Sequence, residues 1–176
     1  MKTINWIFLV AGTVIMIYVM TVTGKPLKMP ATPLGILNLE FAYNASKTGA
    51  VMAAWSIPGL NGIDTVQAAI RNTWLDFVFL FFYSLFLFYC CKTIAESFSG
   101  FIQKTGKVLA LGALYAGLLD IAENAGMLFT LNGFSSNGIA LCTTICSVIK
   151  WILALSALAY VVLLGPLFIL RKITKP

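Results

Sequence analysis

Asp76, Asp120, Glu123 and Lys150 are ionisable residues set inside otherwise apolar stretches of the chain. A charge in such a stretch is costly, so each is a candidate for function by default. The sharpest motif is Asp120-Ile121-Ala122-Glu123-Asn124. Spacings of i, i+3 and i+4 place Asp120, Glu123 and Asn124 on one helix face. Ala113, Ala116 and Gly117 continue that face, and small residues let a neighbouring helix approach closely. Lys150 shares a face with Thr143, Cys146 and Ser147, and Tyr83 lies two turns from Asp76. Three acids opposite one lysine leave surplus negative charge. Away from water, desolvation and like charges favour a neutral carboxyl, so at least one acid is expected to hold a proton. A protonated acid beside an ionised one is what general acid–base catalysis or proton coupling requires. Asp120, Glu123 and Lys150 are therefore the candidate catalytic residues, with Lys150 as electrostatic partner. Glu40, Asp76, Tyr83, Asn124 and Ser147 are the candidate ligand-binding residues. Glu40 joins them from a surface segment, where a solvated carboxylate is the ordinary state. The competing reading is a hydrogen-bonded lock that only holds helices together, with Lys150 snorkelling to an interface.

Much chemistry is excluded. The chain has no histidine, which removes imidazole haem ligation, histidine zinc sites, Ser-His and Cys-His pairs and the commonest general base. No metal and no cofactor are expected. Cys90-Cys91 and Cys142/Cys146 invite a thiol redox reading. However, Cys142 and Cys146 are four apart, a helical spacing poorly suited to the disulfide torsion, and the long loop carries no shuttle pair. Small apolar packing explains them better. The Asn44-Ala45-Ser46 sequon is read as chance.

The elements that must position these residues follow from composition. Apolar residues make up 60% of the 176 and charged ones 10%, against about 25% charged in soluble domains. Four apolar stretches reach the roughly 20 residues that span a hydrocarbon core. The expectation is an all-α integral membrane bundle of four transmembrane helices in one domain, with spans near 6–22, 73–91, 108–131 and 139–170. The first span is read as retained rather than cleaved, because no small-x-small site precedes Gly24. Residues 23–71 form the one long loop. Pro26, Pro30 and Pro33 break it early, and an amphipathic surface helix is expected over about 35–55, ended by Pro58, Gly59, Asn61 and Gly62. Asp64 reads as the cap of a helix running into span two.

Lysine and arginine counts set the orientation. Lys2, Lys92, Lys104, Lys107, Arg171, Lys172 and Lys175 lie on one side, and Lys25, Lys28, Lys47 and Arg71 on the other. That bias puts both termini in the cytoplasm, and the 23–71 and 132–138 connections outside. The net charge of +6 belongs to membrane flanks, and no nucleic acid is expected. At ~1.5 Å per residue, Asp120 lies roughly 20 Å above Lys107, and Lys150 about 30 Å above Leu170. Asp76 enters from the opposite end, so all four ionisable groups should meet at one outer level. Trp74 and Trp151 are expected there as an interfacial aromatic belt.

Leu39-Glu40-Phe41-Ala42, Trp55, Leu75-Asp76-Phe77 with Tyr83, Asp120-Ile121-Ala122-Glu123-Asn124 and Lys150 form a pattern over most of the chain. The pattern resembles a group of small, uncharacterised bacterial four-helix integral membrane proteins. The resemblance carries no activity. It implies only that Glu40, Asp76, Asp120, Glu123, Asn124 and Lys150 belong to one site, in a bacterial cytoplasmic membrane. The leading expectation is a protein that binds a lipid or small amphiphile in an outward-facing polar pocket, with acid–base chemistry as an extension. One rival is a small proton-coupled transporter working as a homodimer. Another is an accessory subunit whose polar face docks a partner.

Overall fold

The computed structural model describes residues 3–57 and 64–174. Four long helices dominate it: α1 (Thr3–Thr23), α4 (Thr65–Glu96), α5 (Gly100–Leu131) and α6 (Asn137–Thr174). Two short helices, α2 (Leu37–Glu40) and α3 (Ala45–Trp55), lie between α1 and α4. No strand occurs among the described residues. The four long helices are each long and apolar enough to cross a membrane.

Local signals explain the boundaries. Asp64 caps α4 as expected, its carboxylate accepting from the Gln67 N–H. α4 then runs unbroken through the apolar Phe- and Leu-rich stretch, longer than the 73–91 span. Gly133, at φ +91°, ends α5 by supplying the left-handed turn that other residues resist. Pro166 sits inside α6 without ending it. The loop differs from expectation. The single helix over 35–55 is two pieces, because Asn44 takes an extended conformation and its side chain caps α3 through the Lys47 N–H. The residues expected to end that helix, Pro58 to Gly62, lie outside the described residues, as do Lys2 and Lys175.

The four helices alternate in direction. α5 packs between α4 and α6, which also touch each other, and α1 leans chiefly on α4. Small residues set the spacing: a Cβ at Gly106 would collide with Tyr160 and Ala95, and one at Gly126 with Thr143. Around the 97–99 turn the bundle is closed by Leu87, Cys91, Ile94, Ala110, Ala113, Ala157 and Tyr160. At the other end the 24–57 loop caps it. Trp55, 1% exposed, packs with Leu27, Leu39 and Val51 onto Met127 and Leu131. Its indole N–H donates to the Leu27 carbonyl and the Thr32 hydroxyl. The N–H of Ala45 is accepted by Asn137 Oδ1 at the start of α6. The apolar side of the loop is thus spent on the bundle itself.

Candidate functional site

Lys150, about two turns along α6 from Thr143 on the face that carries Ser147, reaches into the bundle and is 6% exposed. Its Nζ lies 3.0 Å from Asp120 Oδ1, and 2.9 and 2.8 Å from the two oxygens of Glu123. Both acids come from α5, where the i, i+3 spacing turns them to the same neighbour. Glu123 is fully buried, so its carboxylate is balanced by this one ammonium. The tyrosine hydroxyl of Tyr83, from α4, donates to Asp120 Oδ2 at 2.8 Å. Asn124, also fully buried, donates to Asp76 Oδ2 at 2.9 Å and so ties α5 to α4 a second time.

Glu40 is where expectation fails. It is not a solvated surface carboxylate: it is buried, and reaches down from the end of α2. Its Oε2 accepts from Ser147 Oγ and from Trp151 Nε1, both at 3.1 Å, and lies 3.8 Å from Lys150 Nζ. Its backbone carbonyl accepts from Thr144. The break between α2 and α3 lets the loop turn inward at this point. All eight candidate residues therefore converge. Asp120, Glu123 and Lys150 form the ionic centre, Glu40 with Ser147 flanks it on α6, and Asp76 with Asn124 and Tyr83 flanks it on α4.

The structure adds members that residue type alone did not mark. Trp151, expected only in an aromatic belt, also holds Glu40, while Trp74 packs on Phe77 and is largely exposed. Asn72 and Thr73 line the same space, and Asn72 fastens the end of α1 by donating to Thr23 Oγ1 at 2.8 Å. The i, i+4 relation of Asn72 to Asp76 was the available signal. The four cysteines are free thiols, and no metal-holding group of acids and thiols exists among the described residues.

Beside the ionic centre lies a cavity of about 360 Å³, within the size range of small-molecule pockets. Its polar end is formed by Glu40, Asp76, Asp120, Asn124 and Lys150. From there it continues as an apolar groove past Phe79, Phe86 and Leu87 of α4 and Leu155 and Leu158 of α6. Thr13, Ile17 and Met20 of α1 form the facing side. α1 and α6 border the groove without packing along each other, so it is a slot in the side of the bundle. Asn124 Oδ1 is buried without a partner at its polar end.

Comparison with protein-family models, with curated proteins and with solved structures finds no match to this chain.

Proposed function

We propose that the chain is an integral membrane protein that binds a lipid or small amphiphile, head group against the Asp76–Asn124–Lys150 end and chain along the groove. The observation that carries this reading is the continuity of one cavity from a charged cluster into an apolar slot between α1 and α6. An aqueous solute has no use for the slot, and a purely apolar one has none for the cluster. The four long apolar helices support membrane insertion, and the excess of lysine and arginine beside the 97–99 turn and the C-terminus supports cytoplasmic termini. In that orientation the polar end faces outward, the side slot opens to lipid, and the loop from α1 to α4 covers the head-group site.

The same reading allows acid–base chemistry. Asp120 or Glu123 would exchange a proton with a bound head group, with Lys150 holding the remaining charge. The burial of Glu40, Asp120, Glu123 and Lys150 disfavours a polar stripe that docks a partner protein.

The test is native mass spectrometry of the purified protein and of Leu155→Trp, which fills the groove without touching the ionic centre. Wild type is expected to retain a bound amphiphile that the variant lacks. Equal occupancy in the two proteins would overturn the reading.

A further inference from the structure

The donors and acceptors at the polar end are unevenly spent. Among the described residues, every side-chain donor atom lining the cavity already has a partner within the protein. Tyr83 Oη and Lys150 Nζ serve Asp120 and Glu123, and Trp151 Nε1 serves Glu40. Asn124 Nδ2 donates to Asp76, and Asn72 Nδ2 to Thr23. The threonine hydroxyls, Thr13 and Thr73, are turned back onto the carbonyls of Leu9 and Ala69.

Acceptors remain. Asp76 takes its one hydrogen bond on Oδ2, leaving Oδ1 open. Glu40 takes both side-chain bonds on Oε2, leaving Oε1 open. Asn124 Oδ1 is buried with no partner. These three oxygens belong to residues that line one cavity. A fully buried acceptor without a donor, as Asn124 Oδ1 is, is costly, and natural sites leave few. Charge points the same way: four acids, Glu40, Asp76, Asp120 and Glu123, surround one lysine whose ammonium lies within 4 Å of three of them. Among the described residues no arginine lines the cavity, and Lys150 is the one cation that does. A phosphate or carboxylate head would find only donor atoms that already serve protein acceptors and would meet carboxylates beside them.

We propose, on the amphiphile-binding reading above, that the pocket's ligand class is amphiphiles with a protonated amine head. The ammonium would donate to Asp76 Oδ1, Asn124 Oδ1 and Glu40 Oε1, and the hydrocarbon chain would follow the groove. An ammonium carries three donors, matching the three open acceptors in number, and it offsets the acid surplus that the single lysine leaves. The groove from the level of Asp76 to that of Leu87 runs eleven residues of α4, roughly 16 Å, comparable to an extended chain of about a dozen carbons.

The experiment uses the full chain in phosphatidylcholine nanodiscs and three probes that differ only at the head: dodecylamine, dodecanol and dodecanoic acid. Binding is read from the saturable rise in melting temperature. Wild type is expected to bind dodecylamine about tenfold or more tightly than the other two, the increment of a charge-assisted hydrogen bond. Asp76→Asn should lose that preference, and Glu96→Gln, an exposed change at the far end of α4, should keep it. The melting temperature of each variant without probe reports whether it is folded. A dodecylamine preference retained in both Asp76→Asn and Glu40→Gln would overturn the proposal, since the amine would then be drawn by general surface charge. Equal binding of all three probes, abolished by Leu155→Trp, would overturn the amine head while leaving the groove as an amphiphile site. Failure of Leu155→Trp to weaken any probe would remove both.

Discussion

The two halves of this bundle are built on opposite principles. Around the 97–99 turn, the helices meet through Ala110, Ala113, Ala157, Cys91 and Leu87, with no ionisable pair among them. Their polar links run to backbone carbonyls: the Tyr160 hydroxyl donates to Ile102, the Cys91 thiol to Ala157 and Arg171 to Ser97. At the other half, the same three helices meet through Asp76, Asp120, Glu123, Asn124 and Lys150, and a cavity replaces close packing. The first half shows that α4, α5 and α6 can pack together without a buried ion pair. The charges of the second half are therefore more than glue is needed for. Replacing a buried ion pair by well-packed apolar residues is often neutral or stabilising, so five ionisable groups in one place, Glu40 included, exceed what packing these helices requires and support the proposed binding site.

The largest expected effect comes from removing the shared cation. Lys150→Met is close in length and keeps the packing of the stem, but it leaves Asp120, Glu123 and Glu40 facing one another without a counter-charge. Breaking a buried pair from one side costs about 3–5 kcal/mol. A melt in detergent should show Lys150→Met as the most destabilised single variant of the polar half, and loss of less than about 1 kcal/mol would mean that water, not Lys150, balances these acids.

A smaller effect is expected in the apolar half. Gly106→Val places a branched side chain where Tyr160 and Ala95 already close the gap, and overpacking of this kind costs about 1–3 kcal/mol. The comparison is sharpened if this loss leaves occupancy of the groove unchanged in the folded fraction. Loss of bound amphiphile from folded Gly106→Val would show that the halves are coupled rather than divided in purpose.

How much of this division was legible in the sequence depends on the range of the interaction. The helices were legible because each carries its own signal, an apolar run bounded by Asp64 or by Gly133. The meeting of Asp120, Glu123 and Lys150 was legible because a constant rise per residue converts position into depth along antiparallel helices. Glu40 and Trp151 were less so. Their hydrogen bond joins residues 111 apart, and it exists because Asn44 breaks the expected surface helix and turns the loop inward. A helix-face argument on the loop alone predicts solvent for Glu40. The groove was not legible at all, since Leu155 and Leu158 look identical in sequence to leucines that face lipid. It arises from α1 standing off α6, and no local pattern encodes that.

The smallest expected change in stability is the most telling, and it concerns the acids. Asn is nearly isosteric with Asp, and Gln with Glu, so Asp120→Asn and Glu123→Gln remove ionisation while keeping shape. The two positions are not equivalent. Both oxygens of Glu123 face Lys150 Nζ, at 2.9 and 2.8 Å, so one face of a Gln amide would turn N–H groups toward an ammonium. Asp120 presents one oxygen to Lys150 and the other to Tyr83. An Asn can keep its carbonyl on Lys150 and donate its amide to the tyrosine oxygen, because the hydroxyl rotates to accept. Lys150 would still be balanced by Glu123 and Glu40. Asp120→Asn is therefore expected to melt within about 1 kcal/mol of wild type, or above it, as where stability has been traded for function, while occupancy of the pocket falls. Glu123→Gln should melt earlier than Asp120→Asn. Thermal melts of both variants beside wild type, at two pH values, with native mass spectrometry for occupancy, make the measurement. If both substitutions cost the roughly 3–5 kcal/mol of a broken buried pair, the polar half is a lock built like the apolar half in purpose if not in chemistry, and the functional reading of its acids falls.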